Sequence, residues 1–343
     1  MKKITNEEKA LETFKNYLKR NDILNKTKIA LNNFIKETNI NLSYLTRNCL
    51  KDDNNIFICK YKELSKIKKF LNTNKDFKTL QEEYSSLSSE KKKNPTGKFK
   101  AYEEIKIFFE NLYNNFSDCK NPYEIMTDLN VRACPYCNLN YIDAVIKEDD
   151  RSGQKEKISN DNKVLREHFD HYLPKSKYPF FALSFYNLIP CCYECNSALK
   201  KNKMTPVHPF EDNFDELAVF EIEFAKEMEH YNFSNVKNIN INIINKHKKA
   251  YFHKNLFELE TRYKYRKDYA CELLAKKEIY NDDMIDEITR RLLGKNYSKD
   301  FIEAVIWGSC LNPDLINERP LSKLTKDIIN GQNNPRLNYQ RNL

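Results

Sequence analysis

Two pairs of cysteines stand at a spacing that metal ions use: Cys134-Pro-Tyr-Cys137 and, 58 positions on, Cys192-Tyr-Glu-Cys195. Each short loop can present two thiolates on one side, and two such loops complete a tetrahedron around a structural Zn²⁺. Four thiolates close the coordination sphere and leave no position for a substrate, so such an ion would hold the fold and carry out no reaction. Cys191 offers a C-x-x-x-C alternative with Cys195; this is the less common knuckle, and a swap of Cys191 for Cys192 stays open. Cys49, Cys59, Cys119, Cys271 and Cys310 are scattered singly and read as buried thiols.

Between the knuckles lie Asp170-His171 and Asn187, and Asn196 follows the last cysteine directly. A lone Asp-His pair says little, because polar residues at strand ends and helix caps are commonplace. The ordered set says more. CPYC, then FDHYLPKSKYPFFALSFYNLIP, then CxxCN resembles the zinc-bearing HNH endonucleases, which have the ββα-metal fold. The resemblance runs from Arg132 to Phe210, about a quarter of the chain.

What the resemblance implies is hydrolysis of a phosphodiester, which needs an activated water and positive charge on the phosphorane and the leaving oxygen. His171, able to be neutral near pH 7, is the expected general base. Asp170 would project from the opposite face of its strand as a hard oxygen ligand for Mg²⁺ or Mn²⁺. Asn196 matches the final position of the HNH name and would complete the protein ligation. Asn187 matches the middle one, which buttresses the loop and the base. Many HNH motifs carry a lysine three residues after the last position; here Leu199 stands there and Lys200 follows, leaving Lys200 as the candidate phosphate contact. His208, in VHPF, is expected either to touch metal or phosphate or to lock the loop, the structural role being favoured. His168 shares the Asp170 face by alternation and reads as a bystander.

The rest of the chain must position this centre. At 343 residues two cores, or one with helical extensions, are expected, with boundaries at 1–130, 131–213 and 214–343. The class is α+β: a mainly helical chain around a central zinc-stapled ββα domain. Hydrophobic residues at 40% and aromatics at 13% exclude a disordered chain. Five glycines, with neither GxGxxG nor GxxxxGK[ST], argue against an NAD or ATP site. No apolar signal stretch follows Lys2 and Lys3, and the longest apolar window, residues 178–192, is too short and polar to span a bilayer. A cytoplasmic, reducing setting with no membrane partner is therefore expected, in which close CxxC pairs bind metal.

The net charge of +9 is concentrated in residues 1–130, where 25 Lys and Arg face 18 Asp and Glu, a difference of +7. That suits a polyanion such as DNA or RNA, although a Lys- and Asn-rich coding bias gives the same excess. Helical spacing marks residues 7–19 and 101–116, and the polar stretch at 85–100 reads as an exposed linker or a DNA-touching loop. Strand-like runs occur at 139–146 and 164–170, with a surface loop, EDDRSGQKEKISND, between them. YPFFALSFY reads as a helix buried on the hairpin, residues 217–224 and 238–242 as paired strands, and 247–280 as one long helix, with more helices at 284–293, 299–310 and 321–329. Lys248, Lys249, Arg262, Lys264, Arg266 and Lys267 could track a phosphate backbone or simply form a solvated face. His230, His247 and His253 show no ligand spacing.

A DNA endonuclease is thus the leading expectation; a non-catalytic zinc module that binds nucleic acid or protein, and an RNase with the same centre, are the alternatives. The resemblance further implies a role in bacterial defence against phage, in some cases beside a separate ATPase.

Overall fold

The computed structural model describes residues 1–52, 54–146, 163–224, 233–293 and 297–331. Helices α1 (Glu8–Arg20), α2 (Ile23–Thr38), α3 (Ser43–Asn48), α4 (Tyr61–Thr73), α5 (Lys75–Ser86), α6 (Ser89–Lys93), α7 (Gly97–Ser117) and α8 (Asn121–Leu129) fill the first third. Their apolar residues recur at helical spacing: α1 buries Ala10, Phe14, Tyr17 and Leu18, and α7 buries Ala101, Ile105, Phe109, Leu112 and Phe116. The stripes face one another, with α1 packed on α8 and α2 on α7. The polar stretch at 85–100 is not a plain linker. It contains α6, capped by the Ser88 side chain on Lys91 N, and the first turn of α7.

The middle of the chain supplies short strands in antiparallel pairs: β1 (Ala144–Ile146) with β2 (Lys163–Arg166), and β3 (His168–His171) with β4 (Leu188–Cys191). The single strand expected at 164–170 is therefore two, belonging to different sheets, and the run expected from 139 narrows to β1. The loop EDDRSGQKEKISND lies outside the described residues, as does His230. YPFFALSFY forms two separate 3₁₀ turns, Pro179–Phe181 and Phe185–Asn187, in place of one helix. Every residue from Tyr178 to Cys192 is buried, so this run has no solvent face from which to read a period.

Past α9 (Phe214–Leu217), β5 (Ala218–Phe224) pairs with β6 (Ile239–Asn245) along its whole length, burying alternate residues. Residues 247–280 make three helices, α10 (Lys248–Leu256), α11 (Leu259–Lys264) and α12 (Lys267–Ile279), with the chain turning through a left-handed Glu258, φ 48°. Next come α13 (Asp282–Leu293), α14 (Lys299–Trp307), which Gly308 ends at φ 73°, and α15 (Ser322–Asn330). No described helix is long and apolar enough to cross a membrane.

One buried core runs through all three sequence regions. On one side of the β3–β4 hairpin the first-third helices grip the 179–187 turns: Phe180 meets Phe77 and Phe109 at ring-centroid distances of 5.6 and 5.2 Å, and Ser184 donates to Ile56 O at 2.7 Å. On the other side the C-terminal elements hold the first cysteine loop. Tyr263 donates to Cys137 O at 2.8 Å, and Asn138 donates to Ile316 O at 3.0 Å.

Candidate metal centre and adjoining polar site

The first cysteine pair sits in a tight turn: Asn138 N donates to Cys134 O at 2.7 Å, and Asn138 is left-handed, φ 52°, a conformation asparagine tolerates. Leu139 N points at Cys137 Sγ, 3.4 Å away. The second pair follows β4, with Cys195 in the opening turn of a seven-residue helix, Glu194–Lys200, wound in the wider π pattern. The turns are joined outside the metal position by Asn140 Nδ2 donating to Glu194 Oε2 at 2.7 Å.

The four sulfurs of Cys134, Cys137, Cys192 and Cys195 all lie within 4.8 Å of one another, and all four residues are buried. Cys137 and Cys192 sulfurs are 3.9 Å apart, against the ~3.8 Å edge of a tetrahedron with Zn–S bonds of about 2.3 Å. This donor set fits a structural zinc ion. Cys191 is not in the cluster. It lies on β4 opposite His168, and burial pushes its thiol well above the usual range, as suits a neutral core residue.

Arg262, grouped by sequence with phosphate-tracking cations, turns inward instead. Its guanidinium donates to Cys195 Sγ at 3.5 Å and to Phe257 O at 3.3 Å. Lys249 and Lys267 are likewise engaged, with Asp212 and Asn240. Lys248, Lys264 and Arg266 remain exposed.

Beside the cluster β3 carries Asp170 and His171 on opposite faces, β4 runs back antiparallel, and the Glu194–Lys200 helix completes a strand–strand–helix unit. Asp170 is buried and fully engaged: Lys200 Nζ donates to Oδ1 at 2.9 Å and Tyr136 donates its hydroxyl to Oδ2 at 2.7 Å. Burial pushes the Asp170 carboxyl up, and Lys200 and Tyr136 pull against that. Two donors on the two oxygens mark it as the acceptor in both bonds. Lys200 is itself entirely buried and also donates to His171 O at 2.9 Å. It therefore does not face a phosphate, which corrects its expected role. A hard divalent cation needs open carboxylate oxygen, and here both Asp170 oxygens are buried and already hydrogen-bonded, one of them to an ammonium; the expected Mg²⁺ or Mn²⁺ does not fit this arrangement. Asn196 is partly exposed, and its side-chain amide has no partner among the described residues.

His171 is half-buried. Its Nε2 lies 2.9 Å from Ala182 O; a carbonyl can only accept, so Nε2 carries the hydrogen and the lone pair sits on Nδ1. Tyr113 meets the ring edge-on at 4.5 Å, with Lys175 over the tyrosine at 5.4 Å. Burial, then the charges of Lys175 and Lys200, push the imidazole down to about 3, the Ala182 bond acting the other way. The ring is neutral.

Asn187 is buried and spends its whole amide on the loop: Oδ1 accepts from Leu173 N at 2.7 Å, and Nδ2 donates to Leu173 O and Phe181 O at 3.1 and 2.9 Å. His208 is buried, donates to Tyr186 O at 3.0 Å and stacks on Tyr61 at 4.2 Å. Both ring nitrogens are engaged within the loop, Nδ1 accepting from Phe210 N at 3.3 Å. His168 packs near Tyr193 at 5.6 Å.

Sequence reasoning missed Tyr136 and Arg262 as neighbours of the centre. Tyr136 had a local signal, its place between two ligands; Arg262 had none, being brought in by α11. His253, which showed no ligand spacing, bridges Tyr136 O and Thr205 Oγ1 at 2.8 Å each. No protein-family model, curated protein or solved structure matches this chain.

Proposed function

We propose that this chain is a zinc-stapled endonuclease of the HNH type, hydrolysing phosphodiester bonds in DNA as an effector of bacterial defence. The observation that supports the reading is that β3 carries Asp170 and His171, and the helix after β4 carries Asn196, in one strand–strand–helix unit beside a four-thiol cluster. His171 supplies the base: Ala182 O fixes the ring through Nε2–H, burial keeps it neutral, and Nδ1 is the nitrogen that can take a proton from water. Asn187 holds the loop that holds the base. Asn196 is the uncommitted amide, suited to a phosphate oxygen or a cation. The Mg²⁺ or Mn²⁺ expected at Asp170 and Asn196 does not fit the carboxylate as Lys200 and Tyr136 hold it, and no step of the proposal is routed through that ion. A partner ATPase or other defence subunit would provide whatever energy or activation the reaction needs.

The test is incubation of the zinc-loaded chain with supercoiled plasmid and, separately, with structured RNA, each with Mg²⁺ or Mn²⁺. Conversion of plasmid to nicked or linear form supports the proposal; cleavage of RNA alone makes the chain an RNase, and binding without cleavage of either makes it a non-catalytic module.

A further inference from the structure

Asp170, placed where a metal-binding carboxylate would be, is instead held by an ammonium and a hydroxyl. Lys200 is entirely buried, as is Asp170 to within 2%, and ionised side chains stay out of water only when paired and hydrogen-bonded. Two of the three ammonium protons are placed, on Asp170 Oδ1 and His171 O, both at 2.9 Å. We infer that Lys200 is a tethered cation that closes the Asp170 carboxylate, and that a divalent cation can bind there only by displacing it.

Three further features bear on this. Lys200 is four residues after Asn196 on the same short helix, and its ammonium reaches Asp170 Oδ1 at 2.9 Å. The helix takes an i→i+5 bond, Lys201 N to Asn196 O at 2.9 Å, a winding that accommodates an extra residue and recurs at functional sites. Lys201, next in line, is held at φ 50°, ψ −120°, a strained conformation for a residue with a side chain. Beyond it Lys201, Asn202, Lys203 and Met204 are all exposed. The strained residue and the exposed segment follow Lys200 directly, whereas Cys195 lies at the other end of the helix.

A cation and the ammonium compete for one oxygen, so the exchange involves no covalent step. The inference rests on the nuclease reading only for the reason a divalent cation should arrive.

The wild-type, zinc-loaded chain tests it by lysine acetylation with an N-hydroxysuccinimide ester, followed by peptide mass spectrometry, with Lys201 and Lys203 as exposed internal references. Without added cation, Lys200 should react at least about tenfold more slowly than Lys201, and saturating Mn²⁺ should raise its rate by about tenfold or more with zinc retained, as expected when a buried group is released. Reaction of Lys200 at the Lys201 rate without cation overturns the inference, as does unchanged protection at a Mn²⁺ concentration that supports cleavage. Direct Mn²⁺ titration by electron paramagnetic resonance gives a second reading: Lys200→Met should bind Mn²⁺ about tenfold or more tightly than wild type, with the gain lost in Lys200→Met/Asp170→Asn, and equal affinities would contradict competition. Protection that responds to Mn²⁺ in a chain that cleaves nothing would leave this inference standing and remove the nuclease reading.

Discussion

Asn187 and His171 hold two successive backbone carbonyls: Asn187 Nδ2 donates to Phe181 O at 2.9 Å, and the next carbonyl, Ala182 O, accepts from His171 Nε2 at 2.9 Å. An asparagine buried among aromatic residues thereby sets the direction of an imidazole it does not touch. Asn187→Ala removes three hydrogen bonds and leaves the Leu173 amide and the Leu173 carbonyl without partners, Phe181 O keeping Ser184 N at 3.1 Å, at about 1–3 kcal/mol for each buried group left unsatisfied. Urea unfolding should show a loss of several kcal/mol. Asn187→Asp, which keeps the acceptor for Leu173 N and loses both donors, should lower cleavage rate more than substrate affinity. A rate equal to wild type in a folded Asn187→Asp protein would separate Asn187 from the base.

Metal content should distinguish the two adjacent cysteines. Wild type should carry one zinc per chain; Cys192→Ser should lose it together with cooperative unfolding, while Cys191→Ala should keep it, since the Cys191 sulfur is outside the four-sulfur cluster. Elemental analysis of the purified variants decides this. Zinc retained by Cys192→Ser and lost by Cys191→Ala would reverse the ligand assignment.

Arg262 donates its guanidinium N–H to Cys195 Sγ at 3.5 Å, and a hydrogen-bond donor to a zinc-bound sulfur steadies the ligand. Arg262→Ala should release zinc to a competing chelator about 10–100 times faster than wild type. Arg262→Lys should fall between, having the charge without the planar fork. If Arg262 instead met phosphate, zinc release would be unchanged and only DNA affinity would fall.

His208 and His253 are buried and neutral, held down to about 3 and about 4 by desolvation from an ordinary value of 6.5. Unfolded, each takes up a proton as the pH drops below 6.5, and folded it does not. Stability is therefore fully present above pH 6.5 and is lost as the pH falls toward the folded values, by up to about 1.4 kcal/mol per pH unit for each histidine. Urea midpoints measured from about pH 7 to about pH 5, with zinc retention followed in parallel, should fall steadily. A flat profile with zinc retained would mean that these rings take up a proton in the fold as readily as in the unfolded chain.

The sequence carried the parts of the site that are local. Knuckle spacing is set within a few residues, so Cys134, Cys137, Cys192 and Cys195 could be picked out before any coordinates, and the alternation of β5 and β6 was as plain. What it did not carry is who faces Asp170. Tyr136 and Lys200 reach that carboxylate from 34 positions before and 30 after, and no periodicity encodes such a meeting. The same limit explains the run from Tyr178 to Cys192: once every residue is buried, apolar spacing cannot tell a helix from two short turns. From 247 to 280 the helical pattern continues across the break at Glu258, because a left-handed residue interrupts the backbone without changing which side chains are apolar.

The role of His171 as the base of a phosphodiester-cleaving centre is read by plasmid cleavage with His171→Ala beside wild type, both with zinc content and unfolding midpoint measured. Loss of about 10²-fold or more in rate, with one zinc per chain and a cooperative fold retained, is the predicted result. Cleavage at the wild-type rate by the zinc-loaded, folded variant would contradict it.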